Sequence, residues 1–125
     1  MNINYTYLLI VIGCAVLYIL YKRSGLIPKK DAVDLLKKGA LIIDVRTSAE
    51  FNSGHLSQAY NMPLDEVEGM VADRIRDKNK VMLLHCQSGV RSRTAKARLL
   101  SMGYQNVFDL GSYDRAFKIV TGRNL

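Results

Sequence analysis

The chain has 125 residues, of which 49% are apolar and 23% charged, and it carries a formal charge of +7. That length holds one compact domain of ordinary size and excludes two. The charge does not argue for a nucleic-acid partner: Lys22, Arg23, Lys29 and Lys30 crowd the first thirty residues without a single acid, and the remainder is only mildly basic.

Tyr5 to Tyr21, "YTYLLIVIGCAVLYILY", contains no charged residue. As a helix it would extend roughly 25 Å, close to the ~30 Å hydrocarbon core of a bilayer. Tyr5, Tyr7, Tyr18 and Tyr21 lie near its two ends, where interfacial aromatics belong. A cleaved leader needs a positive start, and "MNIN" has none, so an uncleaved anchor is expected over residues 1–22. A buried core helix is the alternative, but the run is apolar on every face. The Lys and Arg residues all follow the run, which predicts a single-pass orientation with the N-terminus outside and the C-terminal domain cytoplasmic. A lipid bilayer is thus an expected partner. Residues 23–30, punctuated by Gly25 and Pro28, read as a short linker to a domain over 31–125.

Within that domain two periodicities alternate. "KKDAVDLLKKG" (29–39) reads as a helix with a glycine stop. "ALIIDVR" (40–46) is a continuous apolar strand. Residues 48–53 suggest a short helical turn, and 59–61 a brief strand. "LDEVEGMVADRI" (64–75) is amphipathic. "KVMLLHC" (80–86) is a second strong strand, followed by a helix over 91–102 that Gly103 ends. "NVFDL" (106–110) is a strand and "YDRAFKIV" (113–120) a final helix. Apolar strands alternating with helices predict an α/β fold, a parallel sheet covered by helices on both faces. Ligands then bind beyond the carboxyl ends of the strands. Asp44, Cys86 and Leu110 lie near such ends, and of these only Cys86 is a nucleophile.

Cys14 and Cys86 are the two cysteines. They lie in unlike settings, so a bridge between them is not expected, and Cys86 suits a reducing compartment. Cys86 closes a strand, and "QSGV" separates it from a helix that opens at Arg91 or Ser92. Gly89 permits a tight curve there. The backbone N–H groups of residues 87–92 can then turn inward as an anion-binding nest backed by a helix N-terminus. Such a setting, with Arg91, Arg93, Lys96 and Arg98 nearby, favours a reactive thiolate. A buried, inert cysteine ahead of a solvated basic helix is the competing reading. His85 adjoins Cys86, but strand alternation points the two to opposite faces, and no His/Cys spacing suggests a metal.

The segments "LIIDVRTSAEFNSGHLSQAYNMP" and "CQSGVRS" resemble, in that order, the D-V-R…E-F…G-H-I…A…N-I-P segment and the C-x-x-G-x-R-S loop of the rhodanese family of sulfurtransferases. The resemblance covers about residues 27–120. It implies a rhodanese-like parallel sheet flanked by helices, which the apolar run within residues 1–22 would precede as one transmembrane helix, and no metal or organic cofactor. It also implies that Cys86 accepts a sulfane sulfur from thiosulfate or a persulfide and passes it to a thiol or cyanide, or to a protein acceptor. Gln87, Ser88, Gly89, Val90 and Arg91 would cradle the anion through their amides, with Arg91 meeting an incoming anionic donor. Ser92 would cap the helix or donate to the thiolate. Asp44, Arg46 and Glu50 would support the loops, and His55 would bond a backbone group. The chain departs from the family where many members carry a glycine pair and a tryptophan: Ser112 and Phe117 stand there.

Two other readings remain. Cysteine-dependent phosphatases place five residues between Cys and Arg, whereas four separate Cys86 from Arg91; the smaller cradle suits one sulfur better than a phosphoryl group. Arsenate reduction on a related fold is not separated by spacing. A membrane-tethered sulfur carrier or docking module is the reading from a different class, and an intact cysteine loop argues against docking alone.

Overall fold

The structure, a computed structural model, describes residues 4–23 and 25–122. Expectations resting on residues 1–3, on Ser24, on 123–125 and on the side chains of Tyr21, Lys22 and Arg23 lie outside the described residues. In chain order the elements are α1 (Tyr5–Arg23), α2 (Lys29–Lys37), β1 (Leu41–Asp44), α3 (Ser48–Ser53), β2 (Ala59–Asn61), α4 (Val67–Arg74), β3 (Met82–His85), α5 (Val90–Ser101), β4 (Val107–Gly111) and α6 (Tyr113–Thr121).

The four strands form one parallel sheet in the order β2-β1-β3-β4. Neighbouring strand residues serve opposite faces, and both faces are covered. Ile43, Leu84 and Cys86 pack with Val67, Val71, Ala95 and Leu99 on the side of α4 and α5. Ile42 and Leu83 pack with Ala32, Ala116 and Ile119 on the side of α2 and α6. This is why "LIID" and "MLLH" read as unbroken apolar strands rather than as alternating ones. Each fully buried Leu or Ile contributes roughly 1.5–3 kcal/mol of transfer free energy.

Local chemistry accounts for the element ends. Thr47 caps α3 in a reciprocal box: its side chain accepts the Glu50 N–H, and the Glu50 carboxylate accepts the Thr47 N–H. Ser112 caps α6 by accepting the Arg115 N–H. Helix α5 begins at Val90, one residue ahead of the earliest expected start. Gly89, in a left-handed conformation at φ 96°, serves as its N-cap and accepts the Arg93 N–H. Ser92 therefore lies inside the first turn and is not the cap.

The segment expected as a linker is built into the sheet edge at its end. Leu26 bridges Asp109 in parallel, Ile27 donates its N–H to the Asp109 carbonyl at 3.0 Å, and Ile27 is buried. Arg115 clamps this join by donating to the carbonyls of Leu110, at 2.7 Å, and Ile27.

Helix α1 contributes to neither core cluster. Its described side chains, Tyr5 to Leu20, are exposed on every face, Leu9 and Leu17 among them. Among the described residues no helix is long and apolar enough to cross a membrane. The fold therefore does not support the expected transmembrane helix over residues 1–22.

Candidate active site

The carboxyl end of β3 delivers Cys86 to the centre of the sheet. The ladder continues one step past the strand, because the Cys86 N–H donates to the Gly111 carbonyl at 3.2 Å. A register shift makes this possible: Leu84 pairs with Asp109, but His85 pairs with Gly111. The Asp109 carboxylate holds the irregularity by accepting the Gly111 N–H at 2.8 Å. Gly111 sits at φ +88°, a conformation that a side chain at this point would strain.

The chain then turns back over the sulfur. The Gly89 N–H reaches Cys86 Sγ at 3.0 Å, and Ser92 Oγ lies 3.6 Å from the same sulfur. Ser92 donates to the Gly89 carbonyl at 3.2 Å, with the Gly111 carbonyl at 3.5 Å. Its lone pairs can accept the thiol proton, and its hydroxyl can rotate to donate once the sulfur is ionised. The turn is anchored on its β4 side. Ser88 bridges Ser112, and the Gln87 carbonyl accepts the Tyr113 N–H at 3.2 Å. Cys86 and Ser92 are fully buried, whereas Val90 is 69% exposed.

The charged residues expected to support the loop do meet near it, in two pairs. Arg46 is buried and grips Asp44 with Nε at 3.0 Å from both carboxylate oxygens and Nη2 at 2.7 Å from Oδ2. The same guanidinium donates to the Gly54 carbonyl at 2.7 Å and reaches Gln87 Oε1 at 3.4 Å, and it stacks 4.7 Å from the centre of the Tyr113 ring. Arg91 makes a two-pronged bond to Glu50, at 2.6 and 2.9 Å. The hydrogen bonds from Arg91 hold the Glu50 carboxyl at about 2, against an ordinary 4.5. Glu50 is thus more than a loop brace: it is the internal partner of the arginine expected to greet an anion.

His85 takes no part in a dyad with the sulfur. Its Nδ1 lies 3.3 Å from the Cys86 carbonyl, an acceptor, so Nδ1 carries the proton. Nε2 has no hydrogen-bond partner and faces Asp44 Oδ2 at 3.7 Å. Burial lowers the imidazole pKa, opposed by the Asp44 charge, and so favours the neutral ring. His55 bonds the Phe51 carbonyl at 2.9 Å and stacks on the Phe51 ring. Of the basic residues on α5, Arg98 pairs with Glu68 at 3.7 Å and Lys96 reaches the Gly25 carbonyl at 3.4 Å.

A cavity of 330 Å³ opens beside the loop, lined by Leu26, Ser88, Val90, Arg93, Ser112 and Arg115 among others. A larger one, of 480 Å³, lies against α2 and touches no residue of the loop. Sequence reasoning did not find the roles of Gly111, Asp109, Tyr113 and Arg115. The available signal was the "DLGSY" stretch, where a glycine follows a strand directly. Among the described residues no group of His, Cys, Asp and Glu is arranged to hold a metal ion.

The family model for the rhodanese-like domain matches residues 29–115. The thiosulfate sulfurtransferase PspE of Escherichia coli is 38% identical over 69 residues, which are 55% of this chain and 66% of that protein. A tRNA uridine(34) hydroxylase of Hamiltonella defensa is 38% identical over 73 residues, but the chain spans only 21% of its length. A solved structure described as rhodanese with anions from E. coli superposes with a TM-score of 0.59 at 34% identity, covering 62% of this chain and 91% of that one.

Proposed function

We propose, for a chain that belongs to the family of rhodanese-like domains, that it is a membrane-attached sulfurtransferase with Cys86 as the sulfur carrier. The observation that carries the reading is the Gly89 N–H aimed at Cys86 Sγ across 3.0 Å, at the N-terminus of α5. A main-chain donor and a helix start stabilise negative charge on that sulfur, and do so whether the charge rests on a thiolate or on a terminal persulfide sulfur.

The thiolate attacks the outer sulfur of thiosulfate or of a persulfide. The donor's S–S bond breaks, and its electron pair leaves with sulfite or with a thiolate. The outer sulfur stays on Cys86 as a persulfide. A thiol or cyanide then attacks that outer sulfur, and Cys86 leaves as the thiolate. Gln87, Ser88, Gly89, Val90 and Arg91 form the wall around the transferred sulfur, and Ser92 donates to it. Asp44 and Arg46 hold the wall through Gln87.

Helix α1 attaches the domain to a bilayer. Its exposed Leu, Ile and Val side chains on all faces support this, since such a surface is stable against lipid and not against water. The basic residues after it support a cytoplasmic domain and an outside N-terminus.

The test is mass spectrometry after exposure to thiosulfate. An adduct of about 32 Da on Cys86, absent from Cys86→Ser, supports sulfur transfer. Failure of thiosulfate and organic persulfides alike to load Cys86 would sink it. Hydrolysis of an aryl phosphate that depends on Cys86 would replace it with a phosphatase.

A further inference from the structure

Two arginines lie at the β1 side of the loop, and both are neutralised in place. Glu50 occupies both terminal nitrogens of Arg91, and Asp44 grips Arg46. Val90, the neighbour of Arg91 in the chain, is largely exposed to solvent. Arg93 and Arg115 line the cavity on the β4 side, two cations against the single buried Asp109 carboxyl, so the excess positive charge lies there and not beside Arg91. The approach past Arg91 therefore offers main-chain donors but little net positive charge.

Charge matters here because the two donor classes differ in it. Thiolate attack on thiosulfate assembles three negative charges at the loop; the products are the Cys86 persulfide anion and sulfite. Attack on a protonated organic persulfide, R–S–SH, assembles one. The new bond joins Cys86 Sγ to the outer sulfur, which keeps its proton; the donor's S–S bond breaks, and R–S⁻ departs with the electron pair. No oxidant or reductant is consumed in either case.

We propose that the Glu50–Arg91 pair sets the donor preference of this site, favouring sulfane sulfur on an organic persulfide of low charge over the thiosulfate dianion. The inference rests on Cys86 being the sulfur carrier. Glu50 is the specificity-determining residue, and it acts by occupying Arg91. Its carboxylate remains ionised down to a pH of about 2, so the pairing holds at any working pH. Glutamine at position 50 removes the charge and keeps an oxygen for the Thr47 N–H, so the capping box of α3 survives.

The experiment measures loading of Cys86 in the detergent-solubilised full chain, with thiosulfate and with 2-hydroxyethyl persulfide. Glu50→Gln should raise the ratio of thiosulfate to persulfide loading rates by about 3- to 10-fold, and Arg91→Gln should lower it by about as much. The double variant should return the ratio to within about twofold of the parent. In the parent, thiosulfate loading should change less than about twofold between roughly 20 and 200 mM salt, whereas in Glu50→Gln it should fall several-fold. An unmoved ratio in Glu50→Gln, or two single variants that lose both donors alike with no recovery in the double, would overturn the proposal. If neither donor loads the parent protein, the sulfurtransferase reading itself falls, a result distinct from equal loading by both.

Discussion

Gly89 donates its backbone N–H to the sulfur of Cys86, three positions before it, and does so from a left-handed backbone at φ 96°. The same residue is the N-cap of α5 and packs against Gly111, where an added Cβ would sit 3.6 Å from the Gly111 Cα. Space is therefore not what demands glycine at this point. The backbone conformation demands it.

Gly89→Ala should lower stability by about 1 kcal/mol, the cost of a left-handed alanine, and should slow sulfur loading of Cys86 by about tenfold as the donor shifts. Gly103→Ala is the control. Gly103 has φ +94° with nothing near its missing Cβ, and it lies at the far end of α5. It should show the same loss of stability in urea without the loss of transfer. Equal transfer rates in the two variants would remove the Gly89 amide from the mechanism.

Arg46 should prove structurally irreplaceable. Arg46→Ala leaves the Asp44 carboxylate buried without its partner, which costs about 3–5 kcal/mol. Arg46→Lys should lose nearly as much, because one ammonium cannot span Asp44, Gly54 and Gln87 together. Urea denaturation reads both. A lysine variant as stable as the parent would show that the fork geometry is dispensable.

His85 should make folding sensitive to mild acid. Its folded-state pKa lies below the ordinary 6.5, since burial disfavours the imidazolium. The unfolded chain then binds the proton first. Stability is full above pH 6.5 and falls as the pH drops below it, by up to about 1.4 kcal/mol per unit. Asp109 works in the opposite direction, because burial raises its carboxyl above 3.8 and its protonation as the pH falls favours the fold. The difference between the parent and His85→Leu isolates the imidazole, and that difference should shrink as the pH falls from 7 to 5. Parallel stability curves would mean that His85 does not titrate as placed.

Glu50 titrates with the sign opposite to that of Asp109. Its folded value of about 2 lies below 4.5, so the stability it contributes is present above pH 4.5 and is lost as the pH falls towards 2. Acid unfolding followed by circular dichroism should show a shallower decline over that window in Glu50→Gln.

Membrane attachment by α1 predicts that the chain stays with the membrane pellet through high salt and alkaline carbonate and leaves with detergent. Release by salt alone would confine α1 to a peripheral role. Replacing Leu9 and Leu17, both exposed, with Asp should move the chain to the supernatant.

Much of the domain was legible along the chain. Short-range signals governed it: glycine stops, an uninterrupted apolar run for each central strand, and a helix start after Cys86. The β2 strand and the α3 turn fall where composition put them. Helix α5 begins earlier than expected because left-handed Gly89 caps it, and nothing in "QSGV" distinguishes a glycine that caps from one that merely turns.

The alternation of strand and helix, the nucleophile at position 86 and the glycine that curls the chain back over it could all be read along the chain. These follow from local propensity and from the period of apolar residues, which act over a few positions. Which groups meet was settled by the packing of distant segments. Arg91 finds Glu50 forty-one positions away, the Cys86 amide finds the Gly111 carbonyl through a slip in strand pairing, and Arg46 lies beneath Tyr113. Such partnerships depend on the order in which strands enter the sheet, and any of several arginines near the loop could have served equally well until the backbone placed them.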